Sequence, residues 1–327
     1  MMKFQNNKNI QNSPPAGGDG GVIAKDLVKL YGKKKETVQA LQGISFEVTK
    51  GEIFGIIGPD GAGKTSLFRI LTTLLLADGG NATVDGFDVV KDYKEIRNRV
   101  GYMPGRFSLY QDLTVEENLE FFATIFKTTI HENYDLVKDI YSQIEPFKGR
   151  RAGKLSGGMK QKLALSCALI HRPSILFLDE PTTGVDAVSR KEFWDMLKRL
   201  KEQGITILVS TPYMDEARLC DRVALLQLGK ILTINTPQGV INDFKKPIVA
   251  AKATNMLHLL NDLKKYEAVE DAYPFGEYHH AVMKKDFREE DLRNYLQQSN
   301  KQIELKKTKP DIEDCFMALM PPSPKGE

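Results

Sequence analysis

One segment constrains this chain more than any other. Gly58-Pro59-Asp60-Gly61-Ala62-Gly63-Lys64-Thr65 matches the pattern G-x-x-x-x-G-K-[ST]. It follows the continuous apolar run Ile53-Phe54-Gly55-Ile56-Ile57, the texture of a strand covered on both faces. It precedes a helical run from Ser66 to Leu75. Strand, glycine loop and helix in that order predict an α/β core built around a phosphate site. The glycines let backbone N–H groups turn inward around phosphate oxygens, and the helix N-terminus adds partial positive charge. Lys64 is then expected to reach the β- and γ-phosphates of a nucleotide, and the Thr65 hydroxyl to ligate Mg²⁺.

Two further segments carry chemistry. Ser174-Ile175-Leu176-Phe177-Leu178-Asp179-Glu180 is an apolar strand ending in two carboxylates. Beside a phosphate loop, Asp179 fits the aspartate that holds Mg²⁺, and Glu180 is placed to polarise the attacking water. Leu155-Ser156-Gly157-Gly158-Met159-Lys160-Gln161 opens a helix running to about Ile170, with Ser156 as N-cap and Gly157 and Gly158 leaving its end sterically bare. A bare helix end is a second anion site in the same chain.

The rest of the chain organises around these segments. Between Val22 and Phe244 short apolar runs, such as Ile205–Val209, alternate with helical stretches such as Ser189–Gln203. That alternation predicts an α/β fold with a mostly parallel sheet. Ile23–Tyr31 and Ile44–Val48 read as an antiparallel β subdomain, and Leu113–Phe147 as a helical one with Thr114 as a cap. From Lys245 to about residue 320 the pattern becomes strand, helix, strand, helix, strand, helix, a small C-terminal α+β domain. Residues 1–21 and 321–327 are expected to be tails.

The order of phosphate loop, L-S-G-G-x-x-Q and acidic strand end resembles the ATP-binding cassette (ABC) ATPases, P-loop NTPases whose signature motif Leu155–Gln161 matches. Leu109-Tyr110, Leu113-Thr114-Val115, Glu117-Asn118-Leu119, Thr211–Ala217 and Pro310–Phe316 are similar to the ATPase subunits of ABC-2 type exporters. The resemblance covers the cassette at residues 22–244 and implies ATP with Mg²⁺ as cofactors. It implies that the loop residues Gly58 through Ser66 cradle the phosphates, that Tyr31 stacks on adenine, and that Asp186 lies at a cassette–cassette interface. It also implies head-to-tail pairing, in which Ser156, Gly157 and Gly158 of one cassette close on the ATP held by another. The partners implied are transmembrane permease subunits and a second ABC ATPase, identical or different. The place implied is the cytoplasm, peripheral on the inner face of the cell membrane.

Three positions depart from that family's pattern. Gly105 stands where a glutamine is usual, and Pro212 where a histidine is usual; Asp60 replaces a common asparagine. Glycine has no side chain to touch Mg²⁺ or water, and proline offers neither ring nitrogen nor N–H. The expectation is a site that binds ATP and hydrolyses it slowly. The alternatives are a non-hydrolytic ATP-binding subunit paired with a competent ATPase, and a soluble ABC ATPase of translation or DNA repair. The last is disfavoured by one phosphate loop and only about ninety residues between Thr65 and Ser156.

Composition narrows the partners. Lys and Arg number 46 against 43 Asp and Glu, a net charge of +3, and the segment from Lys245 on carries fourteen of each sign. A nucleic-acid binder or polybasic lipid tether is not expected from that balance. No apolar run approaches the roughly 18–20 residues of a membrane span. Cys167, Cys220 and Cys315 are widely spaced and form no metal-type pair.

Overall fold

A computed structural model describes residues 20–32, 37–106 and 108–320. The expected tails lie outside these residues, apart from Gly20 and Gly21, which open the first strand. The chain divides into two compact units. The first runs to Phe54 and takes in Gly61–Ser210 and Leu228–Lys230; the second comprises Gly55–Asp60, Thr211–Gln227 and the chain from Ile231 on.

In the first unit β1 (Gly20–Tyr31) pairs antiparallel with β2 (Val38–Thr49) and with β4 (Gly79–Val84), which pairs with β5 (Phe87–Asp88). The sequence reading finds β1 and β2 but not β4 and β5, whose Gly79-Gly80-Asn81 start reads as a turn. β3 (Ile53–Ile57) begins a second sheet, in the order β3-β8-β7-β6, with β8 at Thr206–Thr211, β7 at Ile175–Asp179 and β6 at Val100–Met103. β6, β7 and β8 are parallel, in a register that sets Leu176 between Gly101 and Ile207. Every residue of β3, β7 and β8 is buried, which is why these strands are continuously apolar and do not alternate.

The helices cover this sheet. α1 (Lys64–Leu71) follows the phosphate loop and buries Leu67, Phe68, Ile70 and Leu71. Phe68 meets Phe177 of β7 edge to face, with ring centroids 5.7 Å apart. α2 spans Tyr93–Arg99. α3 (Val115–Ile125) starts with a capping box: Glu117 N–H donates to Thr114 Oγ1 at 3.2 Å, and Thr114 N–H donates to the Glu117 carboxylate at 2.7 Å. α4 (Tyr134–Tyr141) and α5 (Gly157–Leu169) complete the helical part. α6 (Ala187–Glu202) buries Phe193, Met196, Leu197 and Leu200, as its spacing predicts, together with the only tryptophan, Trp194.

β9 (Arg222–Gln227) and β10 (Lys230–Asn235) lie in the order β10-β9-β3. After α7 (Pro237–Asp243) comes β11 (Ile248–Lys252), α8 (Met256–Lys265), β12 (Val269–Phe275), β13 (Tyr278–Met283), α9 (Glu289–Gln297) and β14 (Glu304–Thr308). The strand order β12-β13-β11-β14 is that of the split β-α-β arrangement. Val249, Ala251, Ala281 and Met283 pack under Leu259, Leu263, Leu292 and Leu296 of the two helices. β12 escapes the sequence reading because Pro274 lies inside it; as an edge strand it tolerates the missing N–H. α10 (Ile312–Leu319) ends the described chain.

Phe68→Ala removes the contact that joins the phosphate-loop helix to the acidic strand. It is expected to cost about 3–5 kcal/mol, read from urea unfolding followed by the fluorescence of buried Trp194. A loss under about 1 kcal/mol would contradict this packing account.

Candidate functional site

The loop between β3 and α1 has the shape its glycines allow. Gly63 has φ of 108°, and a Cβ there would stand 2.5 Å from the Ala40 carbonyl oxygen, so no larger residue fits. Ala62 accepts a hydrogen bond from Gly229 N–H at 2.9 Å, and Gly63 accepts from Leu67 N–H at 3.0 Å. Gly61 also has positive φ, and the space beside it is open. Gly58 N–H donates to the Thr211 carbonyl at 3.2 Å, fixing the loop's first residue at the end of β8. Pro59 is half-buried and Asp60 exposed.

Lys64 opens α1 and is only 3% exposed. Its Nζ stands 3.1 Å from Glu180 Oε1, so the loop cation and the carboxylate after β7 meet directly. Glu180 has φ of 51°, the left-handed region that non-glycine residues rarely take. Its N–H donates to the Ser210 carbonyl at 3.0 Å and to Ser210 Oγ at 3.1 Å. Ser210 Oγ in turn donates to Asp179 Oδ1 at 2.5 Å. One serine of β8 therefore holds both carboxylate residues at the end of β7. Asp179 is 2% exposed. Its charge, after burial, helps push the Tyr102 phenol up to about 12, so that tyrosine stays protonated.

These groups fit a nucleotide with Mg²⁺. Mg²⁺ keeps few protein ligands and takes most of its shell from phosphates and water. A single carboxylate, Asp179, and a half-buried hydroxyl, Thr65, suit that demand. Accordingly, no cluster of three or more metal-type side chains exists among the described residues. Tyr31, 40% exposed, ends β1 with its Oη 3.1 Å from Ser66 Oγ, which ties its ring to the start of α1.

The other expected site residues sit at the starts of α5 and α6. Ser156 caps α5, accepting from Met159 N–H at 3.4 Å. A Cβ on Gly157 or Gly158 would meet only Gly184 and Ser189 within 4 Å. Asp186 caps α6 by accepting from the Val188 and Ser189 amides at 3.1 and 3.0 Å, and the Ser189 amide foremost holds its carboxyl below the usual range. The signature turn and the start of α6 thus form one patch.

Gly105 lies against the acidic strand end: a Cβ there would stand 3.0 Å from the Asp179 carbonyl oxygen and 3.7 Å from Glu180 Cβ. Pro212 is half-buried directly after β8. Sequence reasoning missed Ser210 and the Lys64–Glu180 contact. The signal for the first was present: Ser210-Thr211 is a polar pair closing an apolar strand.

Known proteins resemble this chain in sequence and in fold. The family described as "ABC transporter" matches residues 41–183. The Probable multidrug ABC transporter ATP-binding protein YbhF of Escherichia coli (strain K12) is 38% identical over 86% of this chain, and the chain spans only 49% of that protein's length. The ABC transporter ATP-binding protein NatA of Bacillus subtilis (strain 168) is 38% identical over 64% of this chain and 87% of its own. The Doxorubicin resistance ATP-binding protein DrrA of Mycobacterium tuberculosis is 34% identical over 82% of this chain and 80% of its own. Among solved structures, the dimeric post-hydrolysis state of the ATP-binding cassette MJ0796 bound to ADP and Pi aligns with a TM-score of 0.60. It is 28% identical and covers 66% of this chain and 98% of its own.

Ser210→Ala would leave the buried Asp179 carboxylate without its hydroxyl donor. The expected cost is about 1–3 kcal/mol in urea unfolding, and an unchanged midpoint would show that Ser210 does not hold the strand end.

Proposed function

From the premise that this chain belongs to the ABC transporter ATP-binding family, we propose that it is the ATP-driven subunit of an ABC-2 type exporter. The observation that carries the reading is the convergence of Lys64 and Glu180 at 3.1 Å beside Asp179 and Thr65. In this reading the Gly58–Ser66 loop binds the phosphates, Tyr31 supports the adenine, and Thr65 and Asp179 hold Mg²⁺. Bound Mg²⁺ neutralises phosphate charge. Glu180, drawn off Lys64 when that ammonium turns to the phosphates, orients the attacking water.

Ser156, Gly157, Gly158 and Asp186, which form one patch at the starts of α5 and α6, then serve a second cassette. ATP clamps the two cassettes and hydrolysis releases them, a two-state closure passed to transmembrane permease subunits. No helix among the described residues is long and apolar enough to cross a membrane. Force therefore has to pass through a docking surface on the membrane's inner face. The cleft of about 650 Å³ between Leu74, Leu109, Phe122 and Ile125, rimmed by Arg69 and Arg97, supports that role. His171 lines it with its charge removed, since burial pushes it down to about 4.

The same reading makes hydrolysis slow. Gly105 supplies no side chain beside Asp179 and Glu180, and Pro212 supplies no donor. A lost donor costs about 10²–10³ in rate. The purified chain is expected to turn over ATP below about 0.1 s⁻¹, against a typical enzyme's roughly 10 s⁻¹. Gly105→Gln with Pro212→His is expected to raise that rate, less than fully because the Asp179 carbonyl must yield to the new Cβ. Brisk wild-type turnover abolished by Glu180→Gln would overturn the slow-site reading; failure to bind ATP at all would overturn the ATP-driven one. For the docking surface, Ile125→Asp, at a position 54% exposed, should leave nucleotide binding intact and abolish association with the permease in reconstituted membranes. Unimpaired association would place docking elsewhere.

A further inference from the structure

The second unit holds a cleft that the phosphate chemistry does not use. Its volume is about 1040 Å³, at the upper end of small-molecule sites, roughly 300–1,000 Å³. It opens on the sheet face opposite α8 and α9. Strand alternation sends Ala281 and Met283 of β13 into the core beneath those helices and His280 the other way. There the His280 ring stacks on Phe275, with centroids 3.9 Å apart and planes 9° apart. Its Nδ1 lies 2.6 Å from Asp314 Oδ1.

Asp314 is fully buried, and the same oxygen accepts from Tyr273 Oη at 2.9 Å. A buried carboxylate is costly unless donors hold it. Because a carboxylate only accepts, Nδ1 is the donor in this pair and Nε2 is the nitrogen left for the cleft. The imidazole is thereby fixed in orientation while its second nitrogen remains uncommitted.

The charge lining the cleft is unbalanced. Its two carboxylates are spent: Glu277 pairs with Lys252 at 3.0 Å and Asp311 with Arg218 at 2.5 Å. Lys306 and Lys309 line the same cleft and are in no ion pair among the described residues. Lys306 Nζ stands 3.9 Å from the Tyr278 ring centroid instead. Two ammonium groups outside any ion pair among the described residues, an oriented imidazole and two aromatic rings therefore face one space.

We propose that this cleft binds a planar organic anion. Its flat body lies beside Phe275 and Tyr278, and its carboxylate or phosphate meets the ammonium groups of Lys306 and Lys309. Aromatic carboxylates and nucleotides share that chemistry. The site is separate from the phosphate loop and does not depend on the function proposed for it.

The test is calorimetric titration of naphthalene-2-carboxylate into the full chain. Saturable one-site binding is expected. It should weaken about tenfold or more, the size of a lost charge-assisted hydrogen bond, in Lys306→Gln/Lys309→Gln. Both lysines are exposed, so this variant keeps its fold, which thermal unfolding verifies. The uncharged naphthalene-2-carboxamide should lose affinity to the same extent. ADP added to a Lys64→Ala chain separates the two sources: displacement of the naphthoate assigns the cleft to nucleotides, and no displacement assigns it to aromatic carboxylates. Absence of saturable binding, or equal binding by the double lysine variant, would overturn the proposal.

Discussion

An ammonium group that is 97% shielded from water needs a partner of opposite charge, and in this fold the partner of Lys64 is Glu180. The rest of the first unit arranges that meeting. The glycine loop fixes where α1 begins, because only glycine passes the Ala40 carbonyl at position 63. The parallel pairing of β7 with β8 sets Asp179 opposite Ser210, and the left-handed turn at Glu180 takes the chain sharply out of the strand. Phe68 against Phe177 locks the helix bearing one charge to the strand bearing the other. Packing and electrostatics therefore serve one geometry. The result is that Lys64 and Glu180 meet at the end of the glycine loop.

The proposed function separates binding from hydrolysis. In it, binding draws on backbone amides, Lys64, Thr65 and Asp179. Hydrolysis needs in addition a water placed against Glu180 and donors for the charge that develops as phosphate transfers. Gly105 sits where such a contribution would come from the β6 side, and its backbone approaches Asp179 so closely that a side chain demands movement. The glycine is thus part of the local packing and not merely a deleted side chain.

Much of this was legible in the sequence, and for definite reasons. The loop, the acidic strand end and the caps at Thr114 and Ser156 are local patterns, in which residues a few positions apart act on one another. What escaped is non-local. Ser210 matters only because β8 lies beside β7. β12 was hidden by Pro274, whose harm depends on whether the strand lies inside the sheet or at its edge. The His280–Asp314–Tyr273 cluster joins three segments spread over forty-one residues and carries no motif.

The separation of binding from hydrolysis is tested most directly by a single turnover. Protein is mixed in excess over ATP and Mg²⁺, quenched at intervals, and assayed for bound ATP and released phosphate. The account predicts that ATP binds fully within mixing and keeps its γ-phosphate for tens of seconds or longer. Release of phosphate within a second, or failure to retain ATP, would contradict it.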